Sequence, residues 1–272
     1  MYFYSIHLCV KDIKNFSIML IDKIKHTGNA IFLNLMKKQK RNQALVNSEY
    51  NDNNWKNRTT EELNLSNHSM YGVKNDDMGL MVKDGKWIKG KYGDYHEQYW
   101  NQITSYLLEY KNDEIVELGC GLGINLFCLS NDGFIKLHGY DLSKNAISFA
   151  KEYNKKNKFN VEFDVLDLTN KCPDFSNKII FTHACLEQVK HSMKTVVQNI
   201  VNSNPKLVIN FEVDYNTAPF MVKQYCNAMD FQNNLVRELK NNKNVEIIST
   251  ERLSLNMTHV NIMSAIIWKP IG

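Results

Sequence analysis

The stretch Glu114–Asn125, EIVELGCGLGIN, sets three glycines (Gly119, Gly121 and Gly123) behind a run of buried-strand residues and ahead of an amphipathic segment. Glycine takes positive φ and lets a bound group approach the main chain closely. A helix opening just beyond the turn aims unpaired N–H groups at that ligand. Strand, bare turn and helix in this order make a cofactor site. A dinucleotide fingerprint would need G-x-G-x-x-G, whereas the sixth position here is Ile124 and Gly123 falls one residue too early. Further along stand Asp141, 22 residues past Gly119, then Asp167, His183, Glu187, His191, Glu212 and Asp214. Carboxylates accept hydrogen bonds from hydroxyls and amines, and a bond to a charged group contributes about 1.5–3 kcal/mol. Imidazole, with an ordinary pKa near 6.5, exchanges protons at physiological pH.

These side chains need elements to hold them. Tyr95, Tyr99, Ile103, Tyr106, Leu107 and Tyr110 fall at helical spacing and predict an amphipathic helix leading into the first strand. Strands are predicted over 115–118, 135–140, 161–165, 178–181, 206–211, 245–249 and 260–268. Ser143 reads as the N-cap of a helix carrying Ala146, Ile147, Ala150 and Tyr153. A second helix shows one apolar stripe: Leu186, Val189, Met193, Val196, Val197 and Ile200. Residues 1–36 suit helix, 37–58 read as a linker or exposed loop rich in Lys and Asn, and 70–93 as loops with a hairpin at Asp84-Gly85.

Glu117-Leu-Gly119-Cys-Gly121-Leu-Gly123 resembles motif I, E/D-x-G-x-G-x-G, of the class I S-adenosylmethionine-dependent methyltransferases. Asp141 and Asp167 follow at that family's spacing, and the resemblance runs over residues 92–270. It implies an α/β fold: a doubly wound, seven-stranded, mostly parallel Rossmann-like sheet with helices on both faces. Residues 1–90 would be a largely helical N-terminal extension with linker or lid, and 91–272 the cofactor-binding domain. The implied cofactor is S-adenosyl-L-methionine, with S-adenosyl-L-homocysteine as product. Glu117, Gly119, Cys120, Gly121, Gly123 and Asn125 would form its turn. Asp141, with Leu142 beside it, would accept the ribose hydroxyls. Asp167 would meet the adenine amine, with Leu168 supplying an amide and a wall; Asp164 is the alternative one turn out of register. Tyr92, Tyr95 and His96 would close over the methionine end, or serve as core anchors.

After the fourth strand the small-molecule branch of the family has a segment of the Leu-Glu-His type, and Gln188 here replaces its histidine. The resemblance places His183 beside the transferring methyl as cofactor contact and general base, with Glu187 and His191 as substitutes. Each could equally be an ordinary polar residue at a helix start. Glu212, Asp214 and Tyr215 after the fifth strand are substrate-side candidates. An NPPY-like tetrapeptide, which amino-methylating DNA enzymes carry, is absent after strand four.

Composition narrows the class. The 272 residues are 43% hydrophobic, ample for a core, and the net charge of +4 comes from basic residues scattered along the chain. A dedicated nucleic-acid binder gathers them into a patch; the run Lys37, Lys38, Lys40 and Arg41 reads as a solvated cluster. Six cysteines form no CxxC pair and no metal-ligand spacing, so reduced thiols, a cytoplasmic location and no metal are expected. Lys11, Asp12 and Lys14 interrupt the apolar start, which argues against a signal peptide, and no apolar run reaches the roughly 18 residues of a membrane span. The expected reaction is O-methylation of a small polar acceptor, a surface-polysaccharide sugar or its phosphorylated precursor. The YHEQYW segment and the Thr182-His183 and Leu186-Glu187 pairs suggest that class through their likeness to glycan-modifying members. The alternatives are an RNA or protein methyltransferase, or a catalytically silent cofactor-binding module.

Overall fold

A computed structural model describes residues 43–56, 58, 63, 65 and 74–271. The predicted helix over 1–36 and the basic run Lys37, Lys38, Lys40 and Arg41 lie outside the described residues. Among the described residues the first element is α1 (Gln43–Asn47), which continues as a π-helical turn, Ser48–Asn54. A hairpin of β1 (Met78–Lys83) and β2 (Lys86–Lys91) turns at Asp84 and Gly85, both with positive φ, and α2 (His96–Ser105) follows.

The main alternation then runs β3 (Glu114–Leu118), α3 (Ile124–Asn131), β4 (Lys136–Asp141), α4 (Lys144–Asn157), β5 (Val161–Val165) and β6 (Ile179–His183). A 3-10 segment, Leu186–Ser192, leads into α5 (Met193–Asn202) and β7 (Leu207–Glu212). The chain closes with α6 (Phe220–Ala228), α7 (Leu235–Asn241), β8 (Val245–Arg252), β9 (Leu255–Asn256) and β10 (Ser264–Pro270).

Seven strands pair in the order β5-β4-β3-β6-β7-β10-β8. Those from β5 to β7 are parallel, and β10 alone runs against its neighbours. The sheet is therefore the doubly wound, mostly parallel one expected. The largest boundary difference is at the final strand, which starts at Ser264 rather than Val260. Asn256 Oδ1 takes the Met263 amide at 2.7 Å and closes residues 257–262 into a loop, while β9 joins the hairpin as its third strand. β10 also sits inside the sheet, leaving β8 at the edge.

Successive side chains on a strand point to opposite faces, so each parallel strand feeds two cores. On one face Ile115, Ile179 and Phe181 pack with Trp100, Leu126 and Ala150; on the other Val116, Ile180 and Val208 pack with Val196, Ile200 and Leu239. Burial on both faces explains why these strands read as continuous apolar runs. A third cluster joins Val82 of the hairpin to Val213, Val222, Cys226 and Ile262. Cys120, Cys128, Cys172, Cys185 and Cys226 are free thiols. Among the described residues no helix is long and apolar enough to cross a membrane.

The start of α3 is closely packed. Gly123 has φ 81°, and a Cβ there would come within 2.7 Å of the Phe163 ring. Gly123→Ala is expected to destabilise the protein by about 1–3 kcal/mol through backbone strain and overpacking. A lower urea midpoint at unchanged m-value would register the loss.

Candidate active site

Where strand order reverses between β3 and β6, the helices following the two strands diverge and leave a crevice at the strands' C-terminal ends. A cavity of about 420 Å³ occupies it. Its floor is the glycine turn, Gly119 to Leu122, with Asp141 and Leu142 after β4 and Leu166, Asp167 and Leu168 after β5. One wall is His183, Ala184 and Cys185 after β6, continuing to Gln188 and Val189. The opposite side is His96, Tyr99 and Trp100 of α2, and the N-terminal segment adds Val46, Tyr50 and Trp55.

Main-chain bonds set the turn. The amides of Gly119 and Cys120 both donate to the Tyr140 carbonyl, at 2.7 and 2.9 Å, binding the loop to the neighbouring strand. Asp141 completes the link: Oδ2 accepts from the Gly121 amide and Oδ1 from the Ser143 amide, each at 2.8 Å. Burial raises the Asp141 pKa above its ordinary value, and the Ser143 and Gly121 amides pull it back. Ser143 caps α4 as expected, its Oγ accepting from the Ala146 amide.

Glu117 is buried at the end of β3 and lines the same cavity. Oε1 accepts from Asn125 Nδ2 at 2.6 Å, while buried Oε2 has no hydrogen-bond partner among the described residues. Burial pushes its pKa up to about 8, opposed by the Asn125 bond and reinforced by the Asp141 charge. Asp167 turns Oδ1 to the Thr169 amide and hydroxyl, at 2.9 and 2.7 Å. Asp164, the out-of-register alternative, faces away toward His138 and Lys151.

His183 Nε2 lies 2.7 Å from the Tyr99 hydroxyl, and Phe211 meets the imidazole edge to face. Burial lowers the His183 pKa to about 4, so the ring is neutral at physiological pH. Burial and the Glu212 charge raise the Tyr99 pKa, keeping the phenol protonated as well. Two neutral groups thus share one proton-bearing contact whose direction follows the imidazole tautomer.

Several expected site residues lie elsewhere. Tyr92 packs against Gly79 and stacks on His96, and Tyr95 packs over Gly90; of the three, only His96 lines the cavity. Glu187 accepts from Gln188 Nε2 and Asn261 Nδ2, and His191 pairs with Asp230 at 2.7 Å; neither lines the cavity. Glu212 turns inward, where Oε1 accepts from Thr182 Oγ1 and from the Cys185 and Leu186 amides, all at 2.9 Å. Asp214 accepts from the Asn216 amide and the Thr217 hydroxyl, and Tyr215 bonds to Asn227. Asp214 and Tyr215 therefore spend their polar groups on neighbouring parts of the chain, at the end of a run of eight buried residues, 207–214.

Other lining residues went unread as site residues. In the sequence Tyr99 stands only as part of a helical stripe, and Gln188 only as the replacement of a histidine. Residues 43–54 are helical, where a linker or exposed loop was expected. Asn51 Oδ1 accepts from Ser143 Oγ and the Asn145 amide, both at 3.1 Å, and its carbonyl accepts from Asn145 Nδ2 at 2.7 Å. That docking lays Trp55 over Gly121.

A family model described as a methyltransferase domain matches residues 109–264. Two curated proteins are similar over short stretches. Phosphoethanolamine N-methyltransferase 3 of Arabidopsis thaliana is 37% identical over 70 residues, 25% of this chain and 14% of that protein. Phosphoethanolamine N-methyltransferase of Triticum aestivum is 36% identical over 78 residues, 28% of this chain and 15% of that protein. Each match thus spans about one seventh of its relative's length. Among solved structures, magnesium protoporphyrin IX methyltransferase from Synechocystis PCC 6803 with bound SAM is 14% identical, with a TM-score of 0.54 over 84% of this chain and 96% of that one. The cyclase SpnF is 12% identical, with a TM-score of 0.54 over 87% and 99%. At such identities the likeness is one of fold.

Glu117 binds its proton more tightly folded than unfolded, so it contributes stability that is present below pH 4.5 and is lost as pH rises through about 8. Glu117→Gln is expected to remove that loss and raise the melting temperature of the ligand-free protein above pH 8. The shift should be about 2–4 °C for each kcal/mol of charge burial relieved. Calorimetric melts of both proteins across pH 5–9 check it.

Proposed function

The chain belongs to the methyltransferase-domain family, and from that premise we propose that it moves a methyl group from S-adenosylmethionine to an oxygen or nitrogen of a small polar acceptor. The observation that carries the reading is Glu117 Oε2, a buried acceptor on the cavity with no partner among the described residues, which fits an ammonium group. When bound, the cofactor supplies an electrophilic methyl on a sulfonium, open to in-line displacement.

The chain's own residues bind and orient. Glu117, braced by Asn125, receives the amino group of the methionine portion. Asp141 keeps lone pairs beyond those given to Gly121 and Ser143, and these accept the ribose hydroxyls. Asp167 and the Leu168 amide meet the adenine edge, between Leu142 and Leu168. The main chain of Gly119, Cys120 and Gly121 borders the cavity, and Gly121, having no Cβ, lets the methionine portion lie against it.

Methyl transfer asks for alignment above all. His183 is in its proton-accepting form across the physiological range and takes the proton an acceptor hydroxyl sheds as its oxygen attacks. Tyr99 is a positioning residue that holds the imidazole at 2.7 Å. A hydroxyl acceptor, a surface-polysaccharide sugar or its phosphorylated precursor, agrees with the Thr182-His183 and Leu186-Glu187 segment. A second reading, N-methylation, is favoured by the short matches to phosphoethanolamine N-methyltransferases.

Titration calorimetry with S-adenosylmethionine, then a search for S-adenosylhomocysteine release against sugars, sugar phosphates and amines, tests the proposal. Asp141→Ala is expected to weaken cofactor binding tenfold or more, as charged hydrogen bonds are lost; unchanged affinity refutes the assignment. His183→Ala should bind cofactor about as well as wild type yet turn over about 100-fold more slowly. A variant at wild-type speed would remove the base from the scheme.

A further inference from the structure

Gln188 sits in the 3-10 segment after β6, on the cavity wall that begins with His183. Its side-chain Nε2 donates to Glu187 Oε1 at 2.9 Å. A carboxylate offers acceptors only, so the amide must turn its nitrogen to Glu187 and its oxygen the other way. Glu187 is itself held: Oε2 accepts from Asn261 Nδ2 at 3.1 Å, and its carbonyl accepts from the Gln232 amide at 2.9 Å. The chain Asn261, Glu187, Gln188 therefore runs from the loop before β10 to the cavity wall and leaves one amide orientation.

At the end of that chain, Gln188 Oε1 is buried and has no hydrogen-bond partner among the described residues. Buried carbonyls in native proteins are nearly always satisfied, and an unsatisfied one carries the full cost of losing water. The proposed cofactor contacts, Glu117, Asp141 and Asp167, belong to the ends of β3, β4 and β5, whereas Gln188 follows β6. Its oxygen is left for the other reactant.

We infer that Gln188 orients the methyl acceptor by taking, on Oε1, a hydrogen bond from an N–H or O–H of that molecule, an inference that rests on the methyl-transfer reading above. The acceptor is thus an amine carrying at least one proton, or a polyol in which a second hydroxyl neighbours the one methylated. In-line attack needs a nitrogen or oxygen lone pair on the methyl; the donor hydrogen then points elsewhere, and Gln188 fixes where.

Ethanolamine and D-glucosamine, each carrying N–H and O–H donors, are the probes, with S-adenosylhomocysteine release as readout and cofactor affinity measured separately. Wild type is expected to methylate at least one of them. Gln188→Met, close in volume but without the acceptor, should raise KM for that probe about tenfold, the worth of one neutral hydrogen bond, with kcat within about threefold and cofactor affinity unchanged. Should Gln188→Met fail to fold, Glu187→Gln frees the amide to flip and should raise KM by about threefold. Equal KM values in wild type and the variant that folds overturn the role of Gln188. Cofactor binding without transfer to either probe overturns the acceptor class, and no cofactor binding at all overturns the reading beneath it.

Discussion

The site depends on one carboxylate that joins two loops. Asp141 takes an amide from the glycine turn on one oxygen and an amide from the start of α4 on the other, so the ends of β3 and β4 cannot move independently. Three glycines with positive φ make that turn flexible in the unfolded chain and costly to order. The Tyr140 carbonyl and Asp141 hold it, and a carboxylate suits the task because each oxygen accepts a bond and retains a lone pair for a ligand. The same acid thus shapes the cradle and faces its contents. Asn51 docks on the neighbouring residues Ser143 and Asn145, so the N-terminal segment is positioned by this corner as well.

A second buried acid builds the opposite wall. Glu212 gathers the Thr182 hydroxyl and two amides of the loop after β6, and Thr182 Oγ1 in turn accepts from Asn210 Nδ2 at 3.0 Å. Asn210 Oδ1 then takes the Trp268 indole N–H at 2.7 Å, so a continuous polar chain crosses β6, β7 and β10. Burial lifts the Glu212 pKa to about 7, and its accepted bonds oppose the lift. The loop holding His183, Cys185 and Gln188 is therefore anchored from beneath by an acid that never reaches the cavity.

How far the site was legible follows from the range of its contacts. Gly119, Gly121, Asp141 and Asp167 were readable because their task is local: a bare turn after one strand and acids at the tips of the next two. The parallel sheet was readable because two-sided burial prints apolar runs. Glu212 and Asp214, expected on the substrate side, bond to their own chain, and an acid after a strand looks the same in sequence whether it faces a ligand or its own backbone; only the neighbouring amides decide. Tyr99, Gln188 and Trp55 went unnoticed because their partners lie far along the chain. Tyr99 meets His183 across 84 residues, and a helical stripe does not say which tyrosine turns its hydroxyl inward. Of the lid expected at Tyr92, Tyr95 and His96, only His96 reaches the cavity, while Trp55, from a stretch read as linker, covers the glycine turn.

The ionisable groups of the site share one tendency. Burial raises Glu117 to about 8 and lowers His183 to about 4, so near pH 7 the ligand-free cavity keeps a protonated carboxyl at one end and a neutral imidazole at the other. Two charges that would each be costly in a mostly apolar crevice are thereby avoided. On the proposed role of Glu117, an arriving ammonium reverses the balance there: the carboxylate becomes the favoured form and the proton is released. Binding is then linked to pH, with affinity rising as pH climbs toward 8 because the proton no longer has to be displaced. His183 feels no such partner and stays neutral, available to a proton arriving from the acceptor side. Burial alone thus leaves both ends of the ligand-free site uncharged, and on the proposed role only an arriving ammonium makes the Glu117 end anionic.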